Sequence, residues 1–136
     1  MKQLFSTRIN NGSFNTAMLL IRIIAGGLML HHGYSKIEGF NSMKESFMNF
    51  LHLGSQVTLC LVIFAEFFCA ALLILGLFTR VAAFVLLINM AVIIFMVFNM
   101  DFYGKAELAC LYTACYLSLL LCGPGKISID SMISKN

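Results

Sequence analysis

The sequence predicts an all-α integral membrane protein: a four-helix bundle with a short interfacial amphipathic helix between the first and second spans. Three observations carry that reading. Hydrophobic residues fill 60% of the 136 positions and charged residues only 11%, less than half the roughly 25% of an average soluble domain. Four apolar stretches, 14–34, 57–78, 81–100 and 106–122, approach the roughly 20 residues that a helix needs to cross hydrocarbon, the fourth being the shortest. The connections between the later stretches are short. A chain of this length keeps much of its surface in contact with solvent, and it lacks the polar residues to cover that surface in water. A soluble monomer and a disordered chain are therefore excluded. Length allows one domain, 1–136.

The first stretch follows a polar leader, carries Arg22 in its middle and has no small-residue cleavage site after it. It reads as a span and not as a signal peptide. In the next connection, Met43, Phe47, Phe50 and Leu51 alternate with Lys44, Glu45, Asn49 and His52 at helical spacing. This predicts an amphipathic helix over about 42–53, lying flat at the interface. Thr79-Arg80 is read as the whole turn of a tight hairpin between the second and third spans. Residues 101–105 join the third span to the fourth. Within the fourth, Ala106, Cys110, Ala114, Ser118 and Cys122 form a small residue seam at every fourth position, a signal for close helix packing. Without water to satisfy the backbone, each stretch must be helical.

Four spans place both termini on one side, with Lys2, Arg8, Arg80, Lys126 and Lys135. The other side has Lys36, Lys44 and Lys105, offset by Glu38, Glu45 and Asp101. The excess of Lys and Arg places both termini in the cytoplasm. The net charge of +3 comes from scattered cations with no run of them, so nothing points to nucleic acid. Cys60, Cys69, Cys110, Cys115 and Cys122 lie in apolar runs and form no CxxC pair; they read as small buried hydrophobes. No zinc spacing, phosphate loop, dinucleotide glycine pattern, haem attachment site or nucleophile elbow is present. No cofactor or metal of its own is therefore expected.

Ionisable residues inside a span are costly, face the bundle and mark candidate sites. Arg22, Gly26, Met29, Gly33 and Lys36 fall within about 40° of one line at 100° per residue. One face of the first span thus joins two cations and two glycines, and the glycines admit a neighbouring helix. His32 flanks this face; His31 points away. Counting 1.5 Å per residue from each midpoint puts Arg22, Glu66 and Asn89 in one layer near the bilayer centre, at about the same depth. There Arg22 can pair with Glu66 as a bidentate bridge, either as part of a site or as glue that pins helix register. His32, Lys36 and Glu107 make a second layer nearer the opposite face if the first and fourth spans adjoin. Such groups can exchange protons or hydrogen-bond the carbonyls of a quinone. The candidate pocket is therefore Arg22, His32, Lys36, Glu66, Asn89 and Glu107.

Three segments then bring a known family into view. Segment 22–40, RIIAGGLMLHHGYSKIEGF, resembles the Arg…His-Gly-x-x-Lys pattern of the DoxX family of small four-span membrane proteins. Segment 65–82, AEFFCAALLILGLFTRVA, resembles its Ala-Glu…Leu-Gly-Leu-Phe-Thr-Arg signature, and 123–130, GPGKISID, its closing motif. The resemblance implies a bacterial inner-membrane protein. It also implies a link to quinone or thiol redox chemistry, as in the small membrane subunit of thiosulfate:quinone oxidoreductase. By motif it points to Arg22, His32, Gly33, Lys36, Glu66 and Glu107. Gly76, Thr79, Arg80, Gly123, Pro124, Gly125 and Asp130 of these segments read as structural, as do Gly26 and Gly33 of the packing face. The cysteines lie outside the matched pattern and gain no redox role from it. Three functions follow as expectations. The first is a membrane component of a quinone-linked system that receives electrons from a redox partner protein. The second is a non-enzymatic scaffold for a soluble redox enzyme, with the tail and the interfacial helix as contacts. The third is a solute or proton pathway, which would need a homo-oligomer.

Overall fold

The computed structural model describes residues 8–135. Four long helices form the bundle: α1 (Asn11–Glu38), α2 (Ser55–Leu75), α3 (Thr79–Val97) and α4 (Glu107–Cys122). A short α5 (Ile129–Ile133) follows on the side of the chain ends. No strand occurs among the described residues. The first three helices are long and apolar enough to cross a membrane, and α4 is a shorter apolar helix of 16 residues. Each helix packs on the next, and α4 returns against α1 to close the ring.

Local chemistry sets the helix ends. The Asn10 side chain accepts the Gly12 N–H at 2.9 Å and starts α1, satisfying one of the donors that a helix start leaves open. With 28 residues, α1 runs about 42 Å, longer than about 30 Å of hydrocarbon. α2 stops at Gly76, whose φ of +71° closes a left-handed cap. There Gly76 N–H bonds Leu73 O and Leu77 N–H bonds Leu72 O, the reciprocal pattern of a Schellman ending.

The hairpin turn is therefore Gly76–Phe78, and Thr79-Arg80 open α3. The sequence reading placed the turn three residues late because it followed hydrophobicity, whereas Gly76 decides where the helix ends. The interfacial segment also differs from one helix over 42–53. It holds two separate helical turns, Phe40–Met43 and Phe50–His52. Leu51 and His52 take positive φ of 50° and 62°, which a continuous helix cannot contain.

The core side of α1 carries Gly26 and Gly33. A Cβ on Gly33 would sit 2.6 Å from Phe67 N, and one on Gly26 would sit 2.7 Å from the Ile74 side chain. The glycine face thus seats α1 directly on the α2 backbone, as the spacing predicts. At that contact α2 widens into a π-helical stretch, Phe64–Cys69. On α4 the seam packs only at its start, where Ala106 is buried and Cys110 half-buried, and is not the main packing face. Ala109, Tyr112, Tyr116 and Leu119 point into the core, while Ala114 and Cys122 are exposed. The space beside α1 and α3 is filled by two tyrosine rings, stacked at 5.9 Å, which small residues could not fill.

The glycine contact yields a paired test. Gly33→Ala should destabilise the protein in detergent by about 1–3 kcal/mol, as overpacked contacts do. Gly27, whose added Cβ would meet nothing within 4 Å, should accept alanine with no loss or a slight gain. Thermal unfolding of both variants reads the difference.

Candidate functional site

Glu66 lies in the π-helical stretch of α2, a local geometry common at functional sites. It is 1% exposed. The Lys36 ammonium reaches its Oε2 at 2.5 Å, and Asn89 Nδ2 of α3 donates to its Oε1 at 3.1 Å. Lys36 comes into range because Gly33, three residues earlier on the same face, brings α1 onto the peptide of Glu66 and Phe67. A carboxylate in hydrocarbon needs such partners. Side chains of α1 and α3 therefore converge on Glu66 of α2.

The cluster closes the inner end of an apolar cleft of about 620 Å³ between α2 and α3. Val62, Ala65, Val85 and Val92 form its walls, and Phe47 and Phe50 cover it from the loop. Leu61, Phe64, Ile88 and Val97 at its rim are half-exposed, so the cleft opens on the outer face of the bundle. A volume in this range, apolar walls and a few convergent polar groups are features that small-molecule sites share.

The structure corrects the expected Arg22–Glu66 bridge. Arg22 is 2% exposed, but its guanidinium donates to four carbonyls elsewhere. Nε bonds Leu73 O at 3.1 Å and Nη2 bonds Ile74 O at 3.0 Å. Nη1 bonds Pro124 O at 2.8 Å and Ile127 O at 2.7 Å. The reason is directional. Side chains on a helix lean toward its N-terminus. For Lys36 that lean leads into the bundle, toward Glu66. For Arg22 it leads away from Glu66, toward the open carbonyls at the end of α2. The two layers are about 10 Å apart, the rise from Glu66 to Leu73.

Around Arg22 the residues of the third matched segment gather. Asp130 accepts the N–H groups of Phe78 and Thr79, both at 2.8 Å, and so caps α3 from 51 residues beyond Thr79 in the chain. Its own N–H returns to Gly76 O at 2.8 Å. A Cβ on Gly76 would collide with Arg22 Nη2 at 2.6 Å. Lys126 N–H bonds the Asn15 side chain, and Arg80 lies beside Gly123. Gly123 and Gly125 hold φ of +82° and +79° in the turn around Pro124.

The other candidates lie apart from the cleft. His32 is exposed, with its ring edge-on to Tyr112 at 6.5 Å. Glu107 is exposed in a shallow hollow beside Phe102, Tyr103 and Cys110. The proposed layer of His32, Lys36 and Glu107 thus separates, since Lys36 turns to Glu66. Sequence reasoning passed over Tyr112 and Tyr116, hidden in an apolar run. Their spacing of four residues, in phase with Ala109 and Leu119, is the signal that was available. Among the described residues no group of three His, Cys, Asp or Glu could hold a metal ion. Cys69 is buried and Cys60 and Cys122 are exposed, all as free thiols.

Fold and site together define a helical membrane protein with an apolar cleft that ends at a buried ion pair and a separate arginine junction. The family model of DoxX matches residues 17–99, more than half of the chain, and the chain belongs to the DoxX family. The match includes Arg22, Lys36, Glu66 and Asn89 and ends before α4 and the 123–130 segment. No curated protein and no solved structure gave a match.

The junction makes two predictions. Arg22→Met leaves buried carbonyls unpaired, at about 1–3 kcal/mol for each group not rescued. It should loosen 123–133 in hydrogen exchange before it affects the cleft. Burial alone would raise the Asp130 pKa, but the N–H groups of Thr79 and Phe78 and the Arg22 charge outweigh it and hold the carboxyl below its usual value. Its stabilisation is therefore complete above the unfolded value of about 4 and is lost as pH falls through the lower folded value. Asp130→Asn should lower Tm at neutral pH and flatten the acid limb of Tm against pH.

Proposed function

We propose that this protein is the membrane component of a quinone-linked redox system, with the α2–α3 cleft as the quinone site. One observation supports this above the rest: the polar end of the cleft carries no net charge. Lys36 and Glu66 cancel. An anionic headgroup there would face Glu66, and a cationic one would face Lys36. A neutral ring with carbonyl or hydroxyl groups meets neither obstacle. Lys36 has three N–H donors, of which Glu66 uses one, and Asn89 has a side-chain carbonyl that accepts. An isoprenoid tail suits the apolar walls and the opening on the outer face.

The chemistry assigned to the chain is binding and proton transfer. A quinone takes two electrons and two protons to become a quinol. A partner reductant supplies the electrons, and Glu66 is the carboxyl placed to relay protons to the ring. The balance of Lys and Arg puts both ends in the cytoplasm, and the family resemblance implies a bacterial inner membrane. The scaffold reading has less support. Its proposed contact, the 123–130 segment, is spent on Arg22, Gly76, Phe78 and Thr79.

Solvent extraction of the detergent-purified protein should release quinone in stoichiometric amount. Glu66→Gln breaks the ion pair that holds Lys36 at the cleft and should weaken binding about tenfold or more, the scale of a hydrogen bond to a charged group. His32→Ala, outside the cleft, should leave occupancy unchanged. A folded sample without quinone, or full occupancy in Glu66→Gln, refutes the reading.

A further inference from the structure

The two sides of the Glu66 cluster differ in what separates them from water. Toward the loop, the cleft runs from Glu66 and Asn89 past Val92 and Phe50 to Ser46, which is exposed. Lys36 spans the same interval, with its side chain 24% exposed. Toward the chain ends, the next layers are Ala70 and Leu73 of α2, Ala83 and Leu86 of α3 and Leu119 of α4, each 0% exposed. Close-packed apolar side chains leave few voids that a water could enter. Beyond them stands Arg22, with its N–H groups committed to four carbonyls.

Polar groups do not bridge that packed region. Lys36 from α1 and Asn89 from α3 bond Glu66, and Tyr112 and Tyr116 stack on each other along α4. Tyr116 lies deepest toward the chain ends, and its buried hydroxyl has no hydrogen-bond partner. Among the described residues no hydrogen bond leads from Tyr116 on to Arg22.

We infer that the Lys36–Glu66–Asn89 cluster exchanges water and protons only with the membrane face that carries the 39–54 loop, and is sealed from the face that carries the chain ends. This concerns access to the cluster and stands for any occupant of the cleft. Protons taken up or released at Glu66 consequently belong to one compartment. A redox partner at the chain-end face would supply electrons and not protons.

Cysteine accessibility tests the inference. The five native cysteines are replaced by alanine or serine, and single cysteines are introduced as Asn89→Cys, Ala65→Cys, Ser46→Cys, Ser134→Cys and Leu86→Cys. The full chain is expressed in bacterial membranes. Right-side-out and inverted vesicles are then treated with a charged, membrane-impermeant methanethiosulfonate. Ser46→Cys reports the loop face and Ser134→Cys the chain-end face. Asn89→Cys and Ala65→Cys should label in the vesicles that label Ser46→Cys. From the other face they should label about a hundredfold more slowly or less, as a charge must otherwise enter the bilayer centre. Leu86→Cys should resist from both faces. Ala65→Cys leaves the Glu66 hydrogen bonds intact and serves if Asn89→Cys fails to fold. Labelling of the cluster from the chain-end face, from both faces equally or from neither overturns the inference.

Discussion

Hydrocarbon offers no hydrogen bonds, and the burial of Arg22 under that constraint organises the rest of the molecule. A guanidinium at this depth must find its acceptors within the protein. It finds two at the end of α2 and two in the segment after α4. Asp130, drawn into the same place, supplies the acceptors that the first turn of α3 lacks. One cation and one anion thereby join α1, the α2–α3 turn and the C-terminal segment. Carbonyls at a helix end carry partial negative charge, so the arginine matches them in sign as well as in geometry. Its planar fork reaches four oxygens at once, which a lysine could not.

That junction sets the height of α2 against α1, and the height decides which residues meet further along. Gly26 and Gly33 bring the backbones together, and Lys36 then falls opposite Glu66. The two polar layers end in different states. At Arg22 the donors are matched to carbonyls, which suits a structural joint. At Glu66 the charges cancel, but Lys36 keeps donors to spare and a cleft adjoins them. A site needs unspent hydrogen-bonding capacity beside open space, and only the second layer has both.

Much of this was legible in the residues. The four apolar segments, the short connections and the glycine face of α1 all follow from periodicity and length. The same rules misplaced details where a second element intervened. The α4 seam met the pattern for close packing, yet the neighbouring helices left a gap that two tyrosines fill. The 42–53 segment has amphipathic spacing, yet Leu51 and His52 turn left-handed as the chain folds Phe50 back onto Thr58. The depth count treated each span as centred on its own midpoint. The glycine contacts instead set Gly33 level with Glu66 and Phe67 and Gly26 level with Ala70 and Ile74, so α2 lies offset along α1 and Arg22 falls near its end.

The sequence by itself determined that the chain is a membrane helical bundle, which face of α1 packs, and that Arg22, Lys36, Glu66 and Asn89 lie inside it. Those conclusions rest on solvation and helical periodicity, which are properties of local sequence. The partner of each buried charge was decided only by the tertiary structure. A long side chain can reach across several layers, and its direction along the helix, together with the carbonyls that other segments leave open, selects among them. Arg22 and Glu66 are a plausible pair in one dimension. In three, each has nearer and better-oriented company.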